Sequence, residues 1–436
     1  MTRQRAIELS LLLVAGLITC AGYALASLGE RSSLPANIIP FLAVVLLLLA
    51  GGHIAVRRLA PNADGTMFPI AALLNGIGYV FIARLDEDLA ALQATWTLVG
   101  MAAFIGTLML VRDVRDLAAY RYVMALVGIV LLLLPLLPGI GREINGARLW
   151  LRVAGFTIQP GEFAKIALAV FFAGYLVEKR ELLALGTWRV GPLVLPDPKH
   201  LGPLLGAWAA SLVVMVFERD LGSSLLFFTL FLVMLWVSTG RATYLAVGAG
   251  LFGIGAAAAW RMFDHVQQRV DIWLDPWQDP TGDGFQLVQS TFALASGGLT
   301  GSGPGVGSPD RIPAAETDFI FSVVGEELGL MGASAVLAGY LLMVGIGLRI
   351  AIRSHDSVET LLATGLTTII GVQAFLIIGG ILRVLPLTGI TLPFMSYGGS
   401  SLLANYVLLA LLLRISGRTT PTGDTTALQP VVELGR

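Results

Sequence analysis

The stretch TDFIFSVVGEELGLMGASAVLAGYLLMVGIGL, residues 317–348, decides the fold class. Its second half, residues 331–348, carries no charged side chain, and a helix of about 20 apolar residues crosses the hydrocarbon core of a bilayer. Its first half holds three carboxylates, those of Asp318, Glu326 and Glu327. Charges beside a membrane span are costly to bury, so they indicate a functional polar site at one end of the span.

The composition of the whole chain agrees with a membrane protein. Of its 436 residues, 56% are hydrophobic and only 13% are charged, whereas typical soluble domains have about 25% charged residues. The net charge of −1 provides no basic field that would attract nucleic acid. The single cysteine, Cys20, excludes an intrachain disulfide and a cysteine-based metal site.

Twelve apolar segments are long enough to span a membrane, which predicts an all-α polytopic membrane protein. They are residues 8–28, 38–56, 67–83, 93–111, 122–138, 161–177, 201–217, 221–238, 242–260, 331–348, 360–380 and 397–413. We interpret the first as a signal anchor, because no clear small-x-small cleavage site precedes the second. The polar tail, residues 417–436, is expected to be disordered.

The distribution of Lys and Arg predicts the orientation. A cytoplasmic N-terminus places seventeen of the 28 Lys and Arg residues inside, in agreement with the positive-inside rule. Both termini are then cytoplasmic, and the long loop 261–317 lies outside, where we expect an ordered, partly re-entrant lid. Its glycine-rich part, residues 301–310, is only a weak match to a phosphate-binding loop, because neither a lysine nor a clear helix follows it.

Two further groups of charges lie near the predicted outer face. Glu162 and Lys165 are three residues apart on one helical face and can pair with each other. This pair either only fixes the orientation of its helix or lines a polar cavity, and we favour the cavity. Glu218, Arg219 and Asp220 fall in a short turn between two spans, which we interpret as a solvated turn.

The segment ILRVLPLTGITLPFMSYGGSS, residues 381–401, breaks the helical pattern with Pro, Gly, Thr and Ser. Irregular backbone at membrane depth is tolerated where it is buried in protein or lines a watery cavity. Arg383, Ser396 and Tyr397 are therefore expected to face a polar ligand. The alternative is a tight outer turn without a ligand.

Asp318 is the acid that we expect to do chemistry. A helix that begins near Thr317 places Asp318 in its first turn, where the helix dipole favours a carboxylate, with Glu316 at the entrance. At about 100° per residue, Glu326 and Glu327 point in other directions, so the three acids do not converge and the two glutamates need partners from other helices. The alternative is a structural acid at a helix N-terminus.

Several motifs in register resemble the SEDS family of shape, elongation, division and sporulation proteins, which includes RodA, FtsW and SpoVE. They are NGARLWL (145–151), FTIQPGEFAKI (156–166), RDLGSSLL (219–226), WLDPWQDPTGDGFQLVQSTFALASGGLTGSGPG (273–305), ETDFIFSVVGEELGLMG (316–332) and LPLTGITLPFMSYGGSS (385–401). The chain departs from the family in QPGE, usually QPSE, and in Arg219, usually proline. Because the family core has ten spans, residues 61–416 resemble that core, and residues 1–60 are two extra N-terminal helices.

The resemblance implies a peptidoglycan glycosyltransferase of the bacterial cytoplasmic membrane that polymerises lipid II, a polyprenyl-diphosphate-linked disaccharide-pentapeptide, at the outer face. It maps the family's essential acid onto Asp318, its intramembrane Glu–Lys pair onto Glu162 and Lys165, and a conserved arginine onto Arg148. It also implies a class B penicillin-binding protein as transpeptidase partner. The lack of a long basic tail favours an elongation role over division.

Such a transfer inverts the anomeric carbon, so one displacement suffices and a carboxylate is needed as general base. Arg148, Arg269 and Lys165 are candidates to stabilise the diphosphate leaving group, as is a divalent cation, Mg²⁺ or Mn²⁺, and no organic cofactor is expected. We expect Asp318 at the floor of an outward-open cavity with residues 393–401 as one wall. Two alternatives remain: a lipid II flippase and a non-catalytic scaffold for a transpeptidase.

Overall fold

A computed structural model describes residues 3–144, 147–153, 155–184, 188–190, 193–195, 209, 218 and 220–419. Long apolar helices dominate these residues, as the apolar segments predict. The helices are α1 (Arg3–Arg31), α2 (Ile38–Leu59), α3 (Met67–Leu85), α4 (Glu87–Leu110), α5 (Val114–Ala119), α6 (Arg121–Leu133), α7 (Gly161–Ala184), α8 (Leu221–Thr239), α9 (Thr243–Met262), α10 (Asp264–Leu274), α11 (Phe285–Gly297), α12 (Ile320–Arg353), α13 (Ser357–Ile381) and α14 (Gly399–Thr419).

Within the described ranges, nine helices are long and apolar enough to cross a membrane, namely α1, α2, α3, α4, α8, α9, α12, α13 and α14. Two more predicted spans are helical: α6, which continues into a 3₁₀ turn at Leu134–Leu136, and α7, which carries Glu162 and Lys165. The remaining predicted span, residues 201–217, lies almost entirely outside the described residues. The total of twelve spans therefore stays a prediction.

The helix that follows Asp318 begins later than its sequence suggested and is broken once. Helix α12 starts at Ile320 rather than near Thr317, so Asp318 lies in the preceding turn. Gly329 interrupts the helix with φ 65° and ψ −168°. An added Cβ at Gly329 would lie 2.3 Å from the backbone nitrogen of Gly301, so only glycine fits this close approach.

Backbone hydrogen bonds at the break in α12 hold the chain just before the glycine-rich loop against the helix. The amides of Leu330 and Met331 donate to the carbonyls of Gly298 and Leu299 at 2.9 and 3.1 Å. These four groups would otherwise lack partners at the break, so the loop and the helix satisfy each other's backbone.

Glu326 and Glu327 bind the same loop, whereas partners from other helices were expected; only Glu327 also has such a partner. The amide of Ser308 donates to Glu326 Oε1 at 3.0 Å, and the amide of Gly305 donates to Glu327 Oε2 at 2.7 Å. Arg84 Nε of α3 lies 3.7 Å from Glu327 Oε1. The glycine-rich loop, residues 301–310, therefore binds carboxylates of the protein itself. The amides of Gly305 and Ser308 are occupied by these bonds and are not free to bind a phosphate.

Short strands accompany the helices, which the all-α prediction missed. Strands β1 (Gly141–Ile144), β2 (Ala147–Val153) and β3 (Phe156–Ile158) form an antiparallel sheet in the order β1-β2-β3. Strands β4 (Trp188–Val190) and β5 (Leu193–Leu195) form an antiparallel pair. In the sequence of β2, ARLWLRV, Arg148 and Arg152 alternate with apolar residues, and Trp150 is the one exception; such alternation is the signal for a half-buried strand.

The loop 261–317 is ordered, as expected, and contains helices α10 and α11 and a 3₁₀ turn at Pro309–Arg311. Helix α11 packs on α12, where the hydroxyls of Ser290 and Ser322 are 2.7 Å apart and buried. The loop is therefore built onto the end of α12 that bears Asp318.

The two N-terminal helices are joined to each other through a buried charge that the sequence did not reveal. Glu8 of α1 is fully buried and pairs with Arg57 and with His53 Nδ1, the latter at 2.8 Å, both on α2. Helix α1 also packs along α3. Because the partners of Glu8 lie on a second helix, 45 or more positions along the chain, no local spacing in the sequence predicts this cluster.

Candidate functional site

The turn that carries Asp318 is fixed from two sides. Its own amide donates to the carbonyl of Ala314 at 3.2 Å. From the segment before α14, the amide of Tyr397 donates to the carbonyl of Glu316 at 2.8 Å, and the hydroxyl of Ser396 donates to the carbonyl of Thr317 at 2.5 Å. These bonds set the position of the backbone from which the Asp318 carboxylate projects.

Asp318 lines a cavity of about 220 Å³ between α10, α11, α13 and residues 387–389. Arg269 of α10 lies in the same cavity and donates from Nη1 to the carbonyl of Leu387 at 3.1 Å. A Cβ added to Gly389, which has φ 74°, would lie 3.7 Å from Arg269 Nη2 and 4.0 Å from Asp318 Oδ2. The carboxylate and the guanidinium therefore face the same glycine, and a side chain there would fill the space between them.

The surroundings of Asp318 place its titration close to neutral pH. Burial raises the pKa of this carboxyl to about 6, because removal from water disfavours the charged form. The charge of Arg269 opposes the rise, whereas the nearby Glu316 and Asp220 add to it. A carboxylate with this pKa is ionised at neutral pH and is still basic enough to accept a proton.

A second, wider cavity of about 790 Å³ adjoins the first, and we call it the vestibule. Both cavities are lined by Gln268, Ile272 and Asp283. Four other aspartates line the vestibule, namely Asp264, Asp271, Asp275 and Asp279. The Asp318 cavity is thus reached through an open, acidic space on the surface of loop 261–317.

Asp220 is a buried acid that the sequence interpretation placed wrongly. Asp220 and Glu218 were expected in a solvated turn, but they are only 5% and 3% exposed. Asp220 caps the N-terminus of α8, accepting from the amide of Ser223 at 3.0 Å and from its hydroxyl at 2.5 Å. Burial raises the pKa of Asp220, and the charge of Arg269 opposes this rise. Asp220 is therefore a buried cap of α8 that is close enough to Arg269 for its charge to lower the pKa of the acid, and the short turn in the sequence did not indicate this burial.

Glu162 and Lys165 pair as predicted, and a third polar group completes the cluster. Lys165 Nζ lies 2.5 Å from Glu162 Oε2 and donates to Gln373 Oε1 of α13 at 2.9 Å. The two charged residues are 6% and 1% exposed. This cluster bonds α7 to α13 and does not line the Asp318 cavity, which instead contains Leu376 and Ile377 of α13.

Three predicted residues of segment 381–401 support the site and do not face the cavity. Arg383 donates from Nη2 to the carbonyls of Trp273 and Leu274 at 3.1 and 2.9 Å, which caps the end of α10. Ser396 and Tyr397 bind the backbone of the Asp318 turn. The cavity wall expected from residues 393–401 is formed by residues 387–389.

Thr388 belongs to that wall and was missed by the sequence interpretation. Its side chain is 8% exposed, and its hydroxyl has no hydrogen-bond partner among the described residues. A buried hydroxyl without a partner is unfavourable, and one that lines a cavity is available to a bound molecule.

The other two predicted residues do not line the Asp318 cavity. Glu316 lies two positions before Asp318 and is partly exposed. Arg148 is partly exposed on β2, and within the described residues no hydrogen bond or ion pair links it to the Asp318 cavity. The geometry therefore brings together Asp318, Arg269 and, through charge, Asp220 and Glu316.

Comparisons with known proteins show which family the chain resembles. The family model described as "Cell cycle protein", for FtsW, RodA and SpoVE, matches residues 70–420. The match begins inside α3, so α1 and α2 precede it. Over 426 residues, the chain is 46% identical to "Peptidoglycan glycosyltransferase RodA" of Mycobacterium tuberculosis, covering 95% of this chain and 91% of that protein. It is 35% identical to "Probable peptidoglycan glycosyltransferase FtsW" of Geobacter metallireducens, covering 79% of this chain and 87% of the relative.

Two solved structures are similar in fold. A chain of the structure described as "Structural coordination of polymerization and crosslinking by a peptidoglycan synthase complex" superposes with a TM-score of 0.69 at 27% identity, covering 82% of this chain and 99% of that one. The crystal structure of the rod shape determining protein RodA of Thermus thermophilus gives a TM-score of 0.58 at 26% identity, covering 81% of this chain and 96% of that one.

The buried pair predicts a specific pattern of stability in a double-mutant cycle. Lys165→Met leaves the Glu162 carboxylate buried and unpaired, which should cost about 3–5 kcal/mol. The double variant Glu162→Gln/Lys165→Met removes both charges and should recover most of that loss. Thermal unfolding of the purified chain measures the effect. A double variant as unstable as Lys165→Met alone would contradict the pairing.

The matched control is Lys179→Met on the same helix. Lys179 pairs with Glu178 at 2.8 Å but is one-third exposed. Because exposed ion pairs contribute about 0–1 kcal/mol, this change should leave the unfolding temperature nearly unaltered.

Proposed function

This chain belongs to the cell cycle protein family of FtsW, RodA and SpoVE, and we infer that it is a peptidoglycan glycosyltransferase of the RodA type. We propose lipid II as its substrate, which it polymerises into glycan strands. The observation that carries this function is the Asp318 carboxylate, which faces Arg269 across Gly389 in a cavity open to the vestibule. This arrangement offers a base and a cation to one bound molecule.

Asp318 acts as the general base. The donor sugar is linked through an α-diphosphate to a polyprenyl chain, and a β-linked product requires inversion at the anomeric carbon. The acceptor hydroxyl forms the new bond to that carbon as the bond to the diphosphate breaks, and Asp318 takes the hydroxyl proton. A carboxylate with a pKa of about 6 is ionised for this task at neutral pH. General-base catalysis contributes roughly 10²–10⁴ in rate.

Arg269 is the cation best placed to stabilise the departing diphosphate. It lines the cavity, whereas Lys165 is 1% exposed and already bonded to Glu162 and Gln373. Arg148 lies on β2, and the described contacts do not bring it to Asp318. Of the three cations considered from sequence, Arg269 is therefore the one that we assign to the leaving group.

A divalent cation would have to be held largely by the substrate. Among the described residues, no group of three His, Cys, Asp or Glu could hold a metal ion. Mg²⁺ is commonly bound by one or two carboxylates together with substrate phosphates. Asp283, which lines both cavities, is the carboxylate that would share the ion with the diphosphate, and the ion would supply charge neutralisation there.

The many apolar helices indicate a multi-pass membrane protein, and we propose that both termini are cytoplasmic and that Asp318 faces outside. We propose a class B penicillin-binding protein as the partner that crosslinks the strands, and a role in elongation and cell shape. No observation in the described part of the chain favours a flippase or a non-catalytic scaffold.

The orientation predicts which exposed positions react with an impermeant thiol reagent. In a Cys20→Ser chain, Val306→Cys on the glycine loop should be labelled in intact cells, because that side chain is 58% exposed on the side of Asp318. The matched variant His355→Cys, at the exposed turn between α12 and α13, should react only after the membrane is opened. The reverse pattern would invert the proposed topology.

The base assignment predicts a loss of activity in Asp318→Asn. Asparagine has nearly the same shape but cannot take the proton, so polymerisation should fall by roughly 10²–10⁴. The assay is glycan formation from labelled lipid II by the purified chain. Polymerisation at a near wild-type rate would show that Asp318 is only a structural acid.

Two controls separate chemistry from misfolding. Asp310→Asn removes an exposed acid from the same loop and should retain wild-type activity. The Asp318→Asn chain should still co-purify with its class B penicillin-binding protein. If the partner is lost together with activity, the result reports on folding, and Asp318→Glu then serves as a second test, because it keeps a carboxylate and should regain measurable activity.

A further inference from the structure

A basic cavity lies at the opposite end of the bundle from Asp318. Helix α12 runs from the Asp318 end to Arg349, whose Nη2 lies 2.7 Å from Asp64 Oδ2, just after α2. At this end the last residues of α2 and α4 and one arginine of α14 enclose a cavity of about 440 Å³. It is lined by Arg58, Leu59, Leu108, Met109, Arg112 and Arg414.

The charge of this cavity is positive and is not balanced locally. Its lining contains three arginines and no acid. Arg58 and Arg112 are exposed, and neither has an ion-pair partner among the described residues. The nearby acids are already used: Glu8 pairs with Arg57, and Asp113 pairs with Arg115 and Arg418.

The third arginine is fixed in the floor of the cavity. Arg414 donates from Nη1 to the carbonyl of Leu59 at 2.5 Å and from Nη2 to the carbonyl of Leu108. These carbonyls belong to the last turns of α2 and α4, where helix carbonyls lack intrahelical partners. Arg414 thereby ties three helices together and satisfies the carbonyls that would otherwise repel an anion.

The surroundings match a lipid rather than a soluble anion. Met109 and Leu110 at the end of α4 are 56% and 85% exposed, so apolar surface continues from the arginines toward the bilayer. Single arginines are common on the cytoplasmic face of membrane proteins. Here three of them, from α2, the end of α4 and α14, line one cavity without an acid, and basic pockets between helices on that side bind anionic headgroups.

We propose that this cavity binds the phosphate headgroup of an anionic phospholipid of the inner leaflet, with Arg58 and Arg112 contacting the phosphate and Met109 and Leu110 contacting the acyl chain. Because Arg58 and Leu59 lie on α2, which precedes the part of the chain matched by the family model, the site gives this helix a function: it supplies one side of the lipid site.

The test is lipid retention by the full chain released from nanodiscs of mixed phosphatidylglycerol and phosphatidylcholine, measured by native mass spectrometry. The wild-type chain should retain phosphatidylglycerol in preference to phosphatidylcholine. The double variant Arg58→Gln/Arg112→Gln should bind it about 30-fold more weakly, and the charge-conserving pair Arg58→Lys/Arg112→Lys should keep most of the binding.

The matched control is Arg241→Gln/Arg353→Gln, which removes two charges from the same predicted face outside the cavity. It should retain phosphatidylglycerol like the wild type. If Arg58→Gln/Arg112→Gln and Arg241→Gln/Arg353→Gln lose phosphatidylglycerol binding equally, only the general charge of that face matters. That result would overturn the site. Displacement of the lipid by inorganic phosphate would overturn the choice of a lipid, and a wild-type chain without preference would overturn the proposal altogether. An unchanged unfolding temperature confirms that the exposed substitutions leave the fold intact.

Discussion

The partial burial of one carboxylate beside one guanidinium is the interaction on which the site depends. Asp318, in the turn before α12, and Arg269, on α10, face the same glycine, Gly389. Burial raises the pKa of this acid, and the charge of Arg269 lowers it. Their balance leaves a carboxyl with a pKa of about 6, which can serve as a base at neutral pH. The same cation then remains available for a negatively charged leaving group.

The remainder of this end of the molecule holds that pair in place. Ser396 and Tyr397 bind the backbone of the Asp318 turn, and Arg383 binds the end of the helix that bears Arg269. Glu326 and Glu327 hold the glycine loop against the break at Gly329. The polar side chains of these residues bind backbone donors and acceptors that water does not reach near the membrane. Such backbone groups are costly when they have no partner. A base that must be positioned within hydrogen-bond reach requires such a rigid support.

The sequence predicted what depends on local spacing. The apolar segments located most helices, and the interval of three between Glu162 and Lys165 predicted their pair. The acid beside the span in residues 317–348 pointed to Asp318. What it missed depends on contacts between distant segments: the burial of Asp220, the free hydroxyl of Thr388, the cluster of Glu8 with α2, and the supporting role of Arg383. The short strands were missed because four of the five have only three or four residues, too few to show a clear period.

The assignment of Asp318 as the general base can be tested by the pH dependence of kcat/KM for glycan polymerisation by the reconstituted chain, because this quantity reports the pKa of groups in the free enzyme. A base must be deprotonated, so activity should rise by about tenfold per pH unit in the acidic range and level off above about pH 6, the pKa of Asp318. A profile that stays flat from about pH 5 to about pH 7 would contradict the account, since an acid with an ordinary pKa would already be fully ionised there.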